Sequence, residues 1–174
     1  LDAFMQCMFQ ATKNADTTRP VLDVSGYIHR IKETDVMDSH NYCQDPEKLA
    51  EQNKGLSDDK PFVNNSEKSI VYRGQPYFVS EFGGIWWNPK IKANESSWGY
   101  GDRPQSLDEF YQRFEELCKA LLENPDIFGF CYTQLTDVFQ EQNGIYGFDR
   151  RVKFDMERIR KAVQQKAAYQ EKYR

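Results

Sequence analysis

The chain has 174 residues, 39% hydrophobic and 29% charged, and its 23 Lys and Arg against 27 Asp and Glu leave a formal net charge of −4. That balance offers no field for nucleic acid, and no apolar run approaches the roughly 20 residues that span a bilayer. The opening Leu1-Asp2-Ala3-Phe4 lacks the basic and apolar blocks of a signal peptide and reads as the interior of a longer chain, although 174 residues are enough to bury one core.

In chain order, Leu1, Phe4, Met5, Met8, Phe9 and Thr12 recur at helical intervals and predict a helix to Asn14, stopped before Pro20. Pro20 to Gly26 reads as a short strand rich in β-branched residues, and Val36 to Tyr42 as a second, weaker one. A short helix is expected over Pro46 to Gln52, followed by a long polar connection. Pro76 to Phe82 is nearly continuous apolar sequence ending in Gly83-Gly84, the pattern of a strand buried on both faces. Residues 85–105 form a long loop that carries Trp86, Trp87, Trp98 and Tyr100. Loops longer than about 12–15 residues are usually functional or disordered, and one rich in Trp is a poor candidate for disorder.

Ser106-Leu107-Asp108-Glu109 matches a capping box, and Phe110, Phe114, Leu117 and Leu121 form the buried face of the helix it starts. Another buried strand is expected over Ile127 to Leu135, with a polar exit at Thr136-Asp137 and Glu141 to Gly144. The chain closes with one amphipathic helix over Phe154 to Tyr173, with Ile159, Val163 and Tyr169 inward. Strands alternating with helical segments imply parallel crossovers, in an α/β barrel or a doubly wound sheet. Glycine-rich phosphate loops are missing, no cofactor is called for, and Cys7, Cys43, Cys118 and Cys131 lack zinc-site spacing and read as buried thiols.

In a parallel barrel, chemistry sits at the carboxyl ends of strands. Glu81 stands there in an apolar strand, where an ionised carboxylate requires compensation, and Tyr42 can give it a phenolic hydrogen bond. The same pattern also fits a Glu that binds an Arg or backbone amides at the rim and does no chemistry. His40 and Asn41 share the strand end of Tyr42, and His29 lies in a polar loop where a structural role is the simpler reading. Trp86, Trp87, Trp98 and Tyr100 form either a sugar-stacking wall or the small core of their own loop. Tyr132 and Gln134 line the expected pocket floor, and Asp137 with Glu141 could pair with Arg150 or Arg151.

Tyr77-Phe78-Val79-Ser80-Glu81-Phe82-Gly83-Gly84 resembles the nucleophile strand of glycoside hydrolase family 2, which includes β-galactosidases, β-glucuronidases and β-mannosidases. Thr18 to Val21 with Ser25-Gly26, Asp38 to Pro46, Trp98 to Gly101, Gly129 to Asp137, Glu141 to Gly144 and Phe148 to Arg151 agree in order and spacing. The resemblance covers nearly the whole chain and is nearest to bacterial β-galactosidase-like sequences. It implies a single partial domain over residues 1–174, strands five to eight of a TIM (β/α)8 barrel, whose amino-terminal half lies upstream. It also implies a retaining exo-β-glycosidase acting on a β-linked galactoside or related sugar, without metal, in the periplasm or the cytoplasm. Glu81 would be the nucleophile, Tyr42 the residue that orients it, and His40, Asn41, Trp86, Trp98, Tyr132 and Gln134 substrate contacts. The acid/base Glu would precede Leu1. Asn94-Glu95 imitates its motif but follows the nucleophile strand. An isolated half barrel is expected to be inactive and to pair with a second copy. The alternative is a non-catalytic carbohydrate-binding or scaffold remnant of the same fold.

Overall fold

A computed structural model describes residues 1–91 and 96–173. Its elements are α1 (Asp2–Ala15), β1 (Met37–Asn41), α2 (Pro46–Asn53), a 3₁₀ turn (Lys54–Asp58), β2 (Tyr77–Gly83), α3 (Leu107–Leu122), β3 (Ile127–Thr133), α4 (Met156–Val163) and α5 (Ala168–Lys172). The three strands form one parallel sheet in the order β1-β2-β3, so each crossover returns to the neighbouring position.

The core lies between this sheet and α3. Ser106 caps α3 by accepting from the backbone N–H of Glu109, while the Glu109 carboxylate turns back to the N–H of Gln105, a variant of the expected box. Phe110, Phe114, Leu117 and Leu121 then fall on one face and bury completely against Tyr77, Val79, Phe82 and Ile127. Phe110 also stacks on Phe154 at 4.0 Å between ring centroids, which ties the end of the chain to the first turn of α3.

Three expectations are corrected. Pro20 to Gly26 is not a strand, because side chains take the places of a main-chain ladder. The N–H groups of Val21, Asp23 and Gly26 donate to Asp35 Oδ2, Thr34 Oγ1 and Asp38 Oδ1. The terminal helix is two: Asp155 caps α4, the chain breaks after Val163, and α5 folds back so that Tyr169 meets Phe128 and Lys172 meets Asp126. The cysteines are not uniformly buried, since Cys7 and Cys131 are exposed, Cys43 is half-buried and Cys118 is enclosed. Burial pushes the Cys118 thiol up to about 12, with the Glu115 carboxylate adding to the effect. The helix α1 forms as expected, yet Phe9 is its only described residue in the core, and Leu1, Phe4 and Met8 face outward.

Candidate active site

The site is assembled at the carboxyl ends of β1 and β2, and a bulge aims its central residue. Ser39 of β1 pairs with Val79, but the next pair is His40 with Glu81, so Ser80 is an extra residue in β2. Strict alternation would send Val79 and Glu81 to the same face. The extra residue resets the count: Val79 and Phe82 both enter the core, and Glu81 emerges on the other side with about a third of its side chain exposed. A carboxylate is thereby placed at the end of an apolar strand without being enclosed in it.

Two side chains hold Glu81. Tyr42 donates its hydroxyl proton to Glu81 Oε2, and Thr133 Oγ1 at the end of β3 lies 3.3 Å from the same phenol oxygen. Burial together with the adjacent carboxylate drives the Tyr42 phenol well above its ordinary value, so Tyr42 remains a donor throughout the physiological range. His40 Nδ1 lies 3.2 Å from the same carboxylate oxygen, and its Nε2 lies 3.2 Å from Ser25 Oγ. A neutral ring with the proton on Nδ1 satisfies both contacts, donating to Glu81 and accepting from Ser25. The backbone of His40 is held on both sides by the Asn64 amide, at 2.9 and 2.7 Å.

The glycine pair after Glu81 admits an aromatic ring. Gly83 and Gly84 both have positive φ, and a Cβ on Gly84 would sit 2.4 Å from Tyr100 Cδ2. Tyr100 therefore lies directly over this turn, with its N–H bonded to the Gly84 carbonyl. It stacks on Tyr42 at 3.5 Å and 6°, and Trp98 meets its edge at 6.0 Å. Trp98 is 46% exposed, so the wall Tyr42-Tyr100-Trp98 ends in an open indole face. Trp86 stands apart from this wall, with its indole N–H on Ser97 and the Arg103 guanidinium over its ring. Trp87 is buried against Phe110.

The other expected contacts are engaged inside the protein. Asn41 is buried, donating to Gln52 and accepting from the Cys43 N–H. The Tyr132 hydroxyl accepts from the Ile85 N–H and donates to the Asn143 carbonyl, which ties the loop after β2 to the loop after β3. Gln134 donates to Asn143, whose own amide donates to Glu141. Asp137 pairs with Lys153 and accepts from Gly144 N–H, so neither Asp137 nor Glu141 contacts Arg150 or Arg151 as the sequence suggested. Asn143, Ser25 and Thr133 lie within matched motifs, but the sequence assigned them no role, because each acts through a neighbour that only the fold supplies. Asn94 and Glu95 lie outside the described residues. Among the described residues no group of three or more His, Cys, Asp or Glu could hold a metal ion.

His29 is a second charged centre, on the flank of β1. Its Nδ1 lies 2.7 Å from Asp23 and its Nε2 3.1 Å from Asp38, and all three side chains are fully buried. Burial alone would favour the neutral ring, but the two aspartates overcome it and raise His29 to about 10. The Asp23 carboxyl, despite its own burial, is held below the usual range by His29 and the N–H groups of Arg30 and Ile31. This cluster anchors the irregular segment that carries Ser25.

No protein-family model and no curated protein sequence matches this chain. Solved structures share its fold. A β-glucuronidase from Dictyoglomus thermophilum superposes with a TM-score of 0.64 at 15% identity over 94% of this chain and 29% of its own. A family 2 β-galacturonidase from Eisenbergiella tayi gives 0.59 at 17% identity over 92% of this chain and 30% of its own. An agarase gives 0.60 at 15% identity over 99% of this chain and 24% of its own. The chain thus spans 24–30% of the length of these proteins.

Proposed function

We propose that this chain is the carboxyl-terminal part of a TIM-barrel glycosidase, in which β1, β2 and β3 are strands six to eight and the irregular segment 20–26 stands in the place of strand five, and that it contributes the nucleophile of a retaining exo-β-glycosidase. The observation that carries the reading is the bulge-aimed Glu81, held by Tyr42 and His40 beside an open aromatic wall. The fold likeness to parts of several glycosidases supports it.

In this reading a Glu81 oxygen attacks the anomeric carbon as the bond to the leaving oxygen breaks, and that oxygen takes a proton from an acid outside this chain. Water, deprotonated by the same group, then displaces Glu81 and restores its carboxylate. Retention requires the two carboxyls about 5–5.5 Å apart. Asp137 and Glu141 do not fill the second role, since Lys153 and Gly144 hold the first and Asn143 the second. Tyr42 keeps one Glu81 oxygen fixed so that the other faces the sugar, and Trp98 offers a face for the ring's apolar side. The sugar is proposed to be a β-galactoside on the resemblance of the sequence, and His40 beside Glu81 is placed to contact one of its hydroxyl groups.

In the intact protein, a 2-fluoro β-galactoside with an activated leaving group is expected to leave a covalent adduct on the Glu81 peptide. Glu81→Gln should lower aryl β-galactoside hydrolysis by about three orders of magnitude or more. Hydrolysis at the native rate by that variant would refute the assignment.

A further inference from the structure

A strap of chain runs beside the aromatic wall at Trp98. The Trp98 N–H donates to the Gln140 carbonyl and the Gln142 N–H to the Trp98 carbonyl, both at 2.8 Å, so the strap after β3 lies alongside the wall. On this strap Phe139 is 70% exposed and has a φ of +50°, a left-handed conformation that bulky side chains rarely adopt. Burial of the ring does not offset that strain, since the side chain stands in solvent. Phe139 packs at 5.4 Å against Phe148, itself 65% exposed. Phe148 forms one side of a cavity of about 520 Å³ that is also lined by Trp87, Asn88, Lys90, Gln142 and Arg151.

We infer that Phe139, Phe148 and this cavity form a second saccharide subsite, which holds sugar rings beyond the one at Glu81 and makes the substrate a β-linked oligosaccharide. The inference rests on the proposed function. The chemistry of the lining fits such a ligand. Phe148 offers a flat apolar face to the cavity, with Phe139 packed against it at the rim, while Asn88, Lys90, Gln142 and Arg151 supply hydrogen-bonding groups in the lining, the mixture a pyranose matches and an apolar protein surface does not. Continuity supplies the second argument, because Gln142 belongs to both the cavity lining and the strap bonded to Trp98. The amide of Asn88 donates to Gln142, which fixes the floor between the two regions.

The test compares methyl thio-β-galactoside with an S-linked β-galactotriose, neither of which is hydrolysed, by calorimetric titration into the intact protein. The trisaccharide is expected to bind about tenfold more tightly, the scale of one added aromatic stacking contact. In Phe139→Ala/Phe148→Ala that ratio should fall to near one. Leu135→Ser, which alters an equally exposed apolar residue not lining the cavity, should keep it. Equal affinity for the two ligands in the unmodified protein would overturn this inference and leave the reading of Glu81 standing. Failure to bind either ligand would overturn both. Sedimentation showing that the double variant dissociates a dimer, with the ratio unchanged, would assign the patch to a second copy and overturn the subsite.

Discussion

Individual side chains in this protein act in pairs that the fold brings together across long stretches of sequence. His29 is the clearest case, a loop histidine enclosed between Asp23 and Asp38. Its folded value of about 10 lies above the roughly 6.5 of an unfolded chain. The stability that it contributes is therefore whole below about 6.5 and is lost as the pH rises through 10. His29→Gln leaves two buried aspartates without their cation and should cost about 3–5 kcal/mol at pH 6. Urea unfolding from pH 6 to 10.5 is expected to show the two proteins converging as the pH rises. Parallel curves would mean that the imidazole is neutral in the folded protein. Sequence alone could place His29 in a loop and Glu81 at a strand end, since both statements concern local pattern. It could not show that Asp23 and Asp38 converge on one ring, nor that Ser25 reaches His40, because those contacts depend on how the irregular segment lies along β1.

At the scale of elements, legibility followed whether the backbone bonds to backbone. The strands β1, β2 and β3 and the helices α1, α2 and α3 lie within a few residues of their expected bounds because ladders, caps and periodic burial are written into the sequence. Pro20 to Gly26 has the composition of a strand, but three of its N–H groups are taken by side chains, a competition that composition does not reveal. The bulge at Ser80 was equally hidden, although it determines where Glu81 points. The turn after β2 is the element on which the site depends most, and its glycines are required for two reasons. At Gly84 an alanine would meet both a positive φ and the Tyr100 ring. Gly84→Ala is expected to destabilise the protein by about 1–3 kcal/mol. It should also displace Tyr100 from Tyr42, which near-ultraviolet circular dichroism would record. An unchanged urea midpoint together with an unchanged aromatic spectrum would show that the turn can yield elsewhere.

For the molecule as a whole, the question is what one set of strand ends can do alone. Glu81, Tyr42 and His40 are assembled within this chain, and so is the aromatic wall. A retaining reaction needs in addition a carboxylic acid to protonate the leaving oxygen, and the two acidic residues of the loop after β3 are committed to holding that loop. General acid catalysis is worth about 10²–10⁴-fold, and the loss is largest when the leaving group is basic. A methylumbelliferyl β-galactoside, whose leaving group benefits from a proton, is therefore expected to react with the purified chain no faster than in buffer. A dinitrophenyl β-galactoside needs no such proton, so a slow release that disappears in Glu81→Gln is compatible with the nucleophile acting alone. Hydrolysis of the methylumbelliferyl substrate that is lost on Glu81→Gln would show that an acid does reside in these 174 residues. Glu95→Gln would then be the decisive variant, since Asn94-Glu95 carries the sequence pattern of an acid/base pair. If that substitution leaves the rate unchanged, the proton comes from another group of this chain, and the division of catalytic labour proposed for the site must be redrawn.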